Sequence, residues 1–290
     1  MPDAAWKTLD LLRTTARYLE ERGVDSPRLA AERVLAHVRG CRRVDLYLQA
    51  DRELDAAELE RYRERVRALA RGEPLQYVVG ETEFMGLAFH TDRRALIPRP
   101  ETEILVDALL KRLRDRVSAP ARILELGTGC GAIAVALAAG LPGAEVWCTE
   151  ISPGAAALAA ANRRRHGVTG RVHVLVMDRF AALAPQLEGG FDCIVSNPPY
   201  VRTDELEHLP ARVREYEPLL ALHGGADGLD LHRMLCGAGL QFLAPGGTLG
   251  VEIGATQAAA VQELFQAAGL RDVTVLRDFA GLDRVLLGTR

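Results

Sequence analysis

The chain has 290 residues, 48% hydrophobic and 26% charged, with a net charge of -3, which suits one large domain plus a small one and argues against the basic balance of a stable nucleic-acid binder. No stretch approaches the roughly 20 apolar residues of a membrane span, and the N-terminus lacks a signal-peptide pattern, so a cytoplasmic protein without membrane contact is expected. Its five cysteines are odd in number and lack a CxxC, and its seven histidines lack metal spacing, which supports neither a disulfide framework nor a metal site.

In chain order, Leu9, Leu12, Ala16 and Leu19 recur at helical spacing before Gly23. Ser26 and Pro27 offer a cap and first-turn proline for a helix carrying Leu29, Val34, Leu35 and Val38, and Asp55 caps a third with Leu59, Tyr62, Val66 and Leu69. Residues 1–75 therefore read as a small helical bundle, with fifteen Arg plus Lys against fourteen Asp plus Glu. Residues 76–100 read as a linking β-hairpin, with Phe84, Leu87 and Phe89 in a strand-like stretch, a turn at "TDRR" (91–94), and "ALIPRP" following.

From 101 to 290 strands alternate with helices. Strands are predicted at 122–126, 145–149, 172–177, 191–196 and 248–253, with paired strands at 273–276 and 284–287. Helices are predicted at 104–113, 132–139, 153–165, 230–242 and 257–268. This alternation specifies an α/β fold, doubly wound, with a mostly parallel sheet covered by helices on both faces. Ligands of such sheets sit beyond the carboxyl ends of the strands.

Three strand ends carry chemistry. At the first stands "ELGTGCGAIA" (125–134), where Gly127, Gly129 and Gly131 allow a tight turn and close backbone approach to a ligand at a helix N-terminus. Gly127, Gly129 and Ala132 also satisfy the dinucleotide pattern G-x-G-x-x-A. About twenty residues on, Glu150 ends the second strand, where a carboxylate accepts hydrogen bonds from both ribose hydroxyls. Asp178 ends the third and can reach an adenine amine.

The strand at 191–196 runs into "SNPPY". Prolines remove amide donors and stiffen the backbone, so the Asn197 side-chain oxygen and the Pro198 carbonyl are pre-aimed as acceptors for the two hydrogens of a planar NH2 group. Tyr200 offers an aromatic wall for that flat group. A hydride-transfer enzyme has no use for this turn, whereas a methyltransferase acting on an amide or aromatic amine does.

With "GEPLQYVVGETEF" (72–84), "LIPRPETE" (96–103), "YEPLLAL" (216–222) and "RDFAGLDRVLLG" (277–288), the chain resembles the peptide chain release factor glutamine methyltransferases over nearly its whole length. The resemblance implies a seven-stranded Rossmann-like methyltransferase sheet at 101–290, preceded by the linking hairpin and the substrate-docking bundle. It implies transfer of a methyl group from S-adenosyl-L-methionine to the glutamine side-chain amide in the Gly-Gly-Gln motif of release factors. Gly127, Thr128, Gly129, Cys130, Gly131 and Glu150 would then hold the cofactor, with Asp178 at the adenine and Asn197 against the methyl donor. Arg179 stands where some members carry a tryptophan beside the adenine, and Arg179 or Phe180 would take that place. Asn197, Pro198, Pro199 and Tyr200 would hold the glutamine, Asn197, Pro198 and Tyr200 as catalytic residues. Arg99 and Glu101 would order the hairpin over the cofactor. A glutamine methyltransferase of a ribosomal protein, or an amine methyltransferase of nucleic acid, would share the cofactor residues.

Overall fold

The computed structural model describes residues 6–114, 120–181 and 183–290. The described residues form two compact units, one of those up to 81 with 211–216, the other of those in 82–210 and 217–290.

The first unit is helical, with helices Thr8–Glu20, Pro27–Arg39, Arg43–Leu48, Ala56–Ala70 and Leu75–Val79. Asp55 caps as its sequence predicts: its carboxylate accepts the Glu58 amide at 2.7 Å, and the Glu58 side chain reaches back to the Asp55 amide. Ser26 does not, because it sits at φ 48° with no side-chain cap bond, leaving Pro27 alone as the helix-start signal. The helices at 43–48 and 75–79 were not predicted, since five or six residues bury too few side chains to show a period. Leu19, Val34, Leu35, Leu46 and Tyr62 fill the core. The helix Ala211–Tyr216, which the sequence presents as part of a long loop, also belongs here: the Tyr216 hydroxyl donates to the Arg71 carbonyl at 2.9 Å and Arg212 pairs with Asp25.

The second unit opens on a hairpin, β1 (Glu81–Phe84) and β2 (Leu87–His90). The hairpin reverses at Met85 and Gly86, with φ of 52° and 72°, positive at both central positions as in the turns that match strand twist. The stretch "TDRR" also turns as expected, the Ala95 amide donating to the Asp92 carbonyl at 3.2 Å, but beyond the hairpin. Met85 is held there because its amide donates to Glu103 at 2.6 Å. Seven strands follow: β3 (Arg122–Leu126), β4 (Glu145–Glu150), β5 (Val172–Val176), β6 (Phe191–Ser196), β7 (Leu243–Glu252), β8 (Arg271–Arg277) and β9 (Asp283–Thr289). They lie in the order β5-β4-β3-β6-β7-β9-β8; the first five run parallel and β9 is antiparallel to both its neighbours. The doubly wound, mostly parallel prediction therefore describes the sheet.

Successive strand residues feed opposite cores. Ile123, Cys193, Val195, Val285 and Leu287 pack with helices Pro100–Arg114, Ala132–Gly140 and Pro153–Arg165, while Leu124, Ile194 and Leu286 pack with Asp230–Cys236 and Ala258–Ala267. The helix expected over 230–242 breaks at Gly237, and a 3-10 turn runs from Ala238 to Phe242. The Phe180 ring packs against this turn, close enough that a Cβ on Gly239 would stand 3.1 Å from it. Strand order reverses at β3, so the crevice between the carboxyl ends of β3 and β6 is the topological switch point, where such sheets bind ligands. Among the described residues no helix is long and apolar enough to cross a membrane.

Candidate active site

A cavity of about 350 Å³ lies at that switch point, within the usual size of small-ligand pockets. Three strand ends build it. From β3, Gly127, Thr128, Gly129 and Cys130 form one wall; from β4, Glu150 and Ile151 form the second; from β6, Asn197 and Pro199 form the third. Asp178 and Arg179 line it beyond β5, and Leu220, Ala221 and His223 close it from the segment after the NPPY turn.

The glycine turn is held from below and behind. The Gly127 and Thr128 amides both donate to the Thr149 carbonyl, tying the turn to the end of β4. Glu125, fully buried on β3, accepts the Thr128 hydroxyl at 2.6 Å; burial pushes its carboxyl up to about 8, with the nearby Glu150 adding to the rise. Gly131 does not line the cavity. It starts the helix at φ 84°, and a Cβ there would stand 3.1 Å from the Ala159 methyl, so this glycine serves helix packing. The buried Asn162 side chain binds both the hairpin and the turn: it accepts the His90 amide at 2.8 Å and donates to the carbonyls of His90 and Cys130. The Cys130 thiol is buried and pushed up to about 12, which removes it as a nucleophile near neutrality.

Glu150 is oriented by backbone. Its Oε2 accepts the Gly129 amide at 2.8 Å and its Oε1 the Ser152 amide at 2.9 Å. Each oxygen keeps a further lone pair for a ligand hydroxyl. Arg179, at φ 55°, pairs with Asp178 at 3.4 Å, both side chains more than half exposed. Phe180 is buried and stacks on Phe242 at 5.5 Å, so its ring belongs to the core and does not reach the cavity, contrary to its assignment beside the adenine.

The NPPY turn is fixed by its surroundings. The Asn197 Nδ2 donates to the Thr102 hydroxyl at 3.1 Å, which donates in turn to Glu252 Oε2 at 2.5 Å. Among the described residues nothing donates to Asn197 Oδ1, so the acceptor end of the amide remains available. Tyr200 is turned away: its hydroxyl donates to Glu252 Oε1 at 3.4 Å, and neither Tyr200 nor the buried Pro198 lines the cavity. The aromatic wall expected at Tyr200 is therefore absent there, and Pro199 occupies that wall. Gln257 Nε2 donates to the carbonyls of Tyr200 and Gly228, at 3.0 and 3.3 Å. A Cβ on Gly224 would fall 2.6 Å from the Pro199 carbonyl oxygen, so only glycine permits this approach.

The signature turn before the first helix of this unit is locked to the segment after NPPY. Arg99 Nη2 pairs with the buried Glu217 carboxylate at 2.6 Å, and the Ile97 amide donates to its other oxygen at 3.2 Å. Residues of both segments line the cavity. Sequence reasoning overlooked Thr102, Asn162, Glu217 and Glu252. A buried acid closing the apolar strand 248–253 was the one visible signal, for Glu252; the others depend on partners 32 to 150 residues away.

Two families match the chain, the one described as "PrmC N-terminal domain" over residues 10–80 and "Methyltransferase small domain" over residues 100–212. The chain is 45% identical over 283 residues to the release factor glutamine methyltransferase of Geobacter sulfurreducens, covering 98% of this chain and 96% of that protein. It is 44% identical over 275 residues to the protein of the same name in Moorella thermoacetica, covering 94% and 95%. In fold it is similar to a methyltransferase from Pyrococcus furiosus, with a TM-score of 0.52, 18% identity, and coverage of 81% of this chain and 98% of that one.

Proposed function

The chain belongs to the release factor glutamine methyltransferases, and we propose that its cavity takes S-adenosyl-L-methionine and the glutamine of the Gly-Gly-Gln motif of a peptide chain release factor, as a cytoplasmic enzyme. The observation that carries this reading is the Asn197 amide: its Nδ2 is bound to Thr102, among the described residues nothing donates to its Oδ1, and the residue lines the same cavity as the glycine turn and Glu150.

The residues present fit the cofactor. Gly127 and Gly129 let a ligand approach the turn's backbone, Glu150 keeps lone pairs for ribose hydroxyls, Ile151 adds an apolar surface, and Asp178 with Arg179 is placed for the adenine. When bound, S-adenosyl-L-methionine supplies a methyl group on a sulfonium cation, which is already electrophilic.

The chain's own contribution is orientation. An amide nitrogen lone pair is delocalised into the carbonyl, and acceptors on its N–H bonds return electron density to nitrogen as it reacts. Asn197 Oδ1 accepts one N–H of the glutamine and is fixed before the substrate arrives, whereas Pro198, which does not line the cavity, stiffens the turn that carries it. After transfer the nitrogen sheds one proton to water, so no general base is assigned. Pro199 flanks the glutamine, and Tyr200 supports the turn from behind through Glu252. The first unit docks the body of the release factor.

The test is transfer of a labelled methyl from S-adenosyl-L-methionine to purified release factor, with mass spectrometry locating it. Label on the Gly-Gly-Gln glutamine supports the reading. Label only on ribosomal protein or nucleic acid offered alongside overturns it.

A further inference from the structure

We propose that Thr102 and Glu252 are positioning residues that set which end of the Asn197 side-chain amide faces the glutamine, and that protonation of Glu252 reverses that setting. The inference rests on the function proposed above and adds a control that its motif does not contain.

Three side chains from three elements form one directed chain. Asn197 Nδ2 donates to Thr102 Oγ1 at 3.1 Å, and Thr102 Oγ1 donates to Glu252 Oε2 at 2.5 Å, the length of a hydrogen bond to an ionised acceptor. A hydroxyl has one proton to give. While ionised Glu252 takes it, Thr102 can only accept from Asn197, so the amide NH2 is drawn to Thr102 and Oδ1 is left for the substrate. Once Glu252 is protonated, its own O–H donates to Thr102, and the freed threonine proton can go to Asn197 Oδ1. The amide then turns over and presents NH2 to the substrate NH2, donor against donor. The number of hydrogen bonds in the chain is unchanged, so little opposes the reversal.

The surroundings put this switch near neutrality. Glu252 is almost completely buried at the end of β7, and burial pushes its carboxyl up to about 7. Thr102 opposes the rise through its hydrogen bond. Glu101, from the same helix as Thr102, adds to the rise, while Arg284 on β9 and the Tyr200 hydroxyl hold it down. His232, from the helix Asp230–Cys236, meets the Glu252 backbone carbonyl at 3.0 Å and also the Gly228 backbone, and burial lowers its own tendency to protonate.

The experiment compares Thr102→Ser, Thr102→Val and Glu252→Gln with the parent enzyme in single turnover on a release factor from pH 6 to 9. In parallel, the Asn197 side-chain amide is followed by NMR hydrogen exchange in the unliganded proteins. Valine matches threonine in shape without the hydroxyl, whereas serine keeps the hydroxyl and leaves a gap. Valine should therefore slow turnover about tenfold or more and expose the Asn197 amide protons to exchange, while serine stays within about threefold with protection intact. The parent rate should rise through about pH 7, and that limb should be missing in Glu252→Gln, whose carboxamide does not titrate. Equal rates and equal exchange for valine and serine, or the same acid limb in Glu252→Gln as in the parent, overturn the inference. Failure of the parent to methylate any release factor sinks the underlying reading instead, and the exchange data then decide the amide's orientation alone.

Discussion

The Gly129 amide donates to Glu150 Oε2 at 2.8 Å, so the carboxylate at the end of β4 and the glycine turn at the end of β3 form one unit before any ligand binds. Glu150 thus shapes the turn and also faces the cavity. Replacing it with Ala removes the ligand's charge-assisted hydrogen bonds, worth about 1.5 to 3 kcal/mol, and frees the turn. Calorimetry should show S-adenosyl-L-methionine affinity falling about tenfold to a hundredfold; unchanged affinity would remove Glu150 from the cofactor site.

Glu125 gives a stability prediction with a definite sign. Its carboxyl rises from the ordinary 4.5 to about 8 on burial. The protonated form stabilises the fold fully below 4.5, and that contribution is lost as pH climbs through about 8. Urea midpoints of the parent should fall from pH 5 to 9, and Glu125→Gln should reduce the fall. The same slope in both proteins would show that Glu125 ionises normally.

The first unit exposes Val44 and Leu48, at 53% and 78%, on its short helix Arg43–Leu48. If this unit docks the release factor, Val44→Asp with Leu48→Asp should raise KM for the intact factor several-fold. Activity on a short Gly-Gly-Gln peptide and cofactor affinity should not change. A uniform loss on both substrates would assign the unit a folding role only.

Gly224 makes the NPPY turn a steric matter as well. A Cβ would stand 2.6 Å from the Pro199 oxygen and 2.8 Å from the Tyr200 Cα, both backbone atoms. Gly224→Ala should cost about 1 to 3 kcal/mol in urea unfolding, as overpacking does. Parent-like stability would mean that the turn can shift.

These sites show what a single sequence reveals. Strand ends were legible because apolar runs stop at residues with distinct chemistry, so Gly127, Glu150 and Asn197 were located at the ends of β3, β4 and β6 from local pattern, while the packing role of Gly131 against Ala159 was not. Side-chain direction was not: Tyr200 follows Asn197 by three residues, yet Tyr200 bonds Glu252 while Phe180 joins the core, and both depend on partners distant in sequence. The Met85–Gly86 turn was missed because methionine carries no signal for a positive φ that Glu103 imposes from the next helix. The Ala211–Tyr216 helix was missed because six residues, none of them buried, carry no period.

The central claim is that Asn197 Oδ1 accepts an N–H of the substrate glutamine during methyl transfer, and Asn197→Ala in single turnover on a release factor, with cofactor saturating, tests it most directly. One pre-organised hydrogen bond of this kind is worth about a hundredfold to a thousandfold in rate. The account predicts a fall of that order while the affinity for S-adenosyl-L-methionine, held by Glu150 and the glycine turn, stays close to the parent's. Parent-like turnover of Asn197→Ala would contradict it.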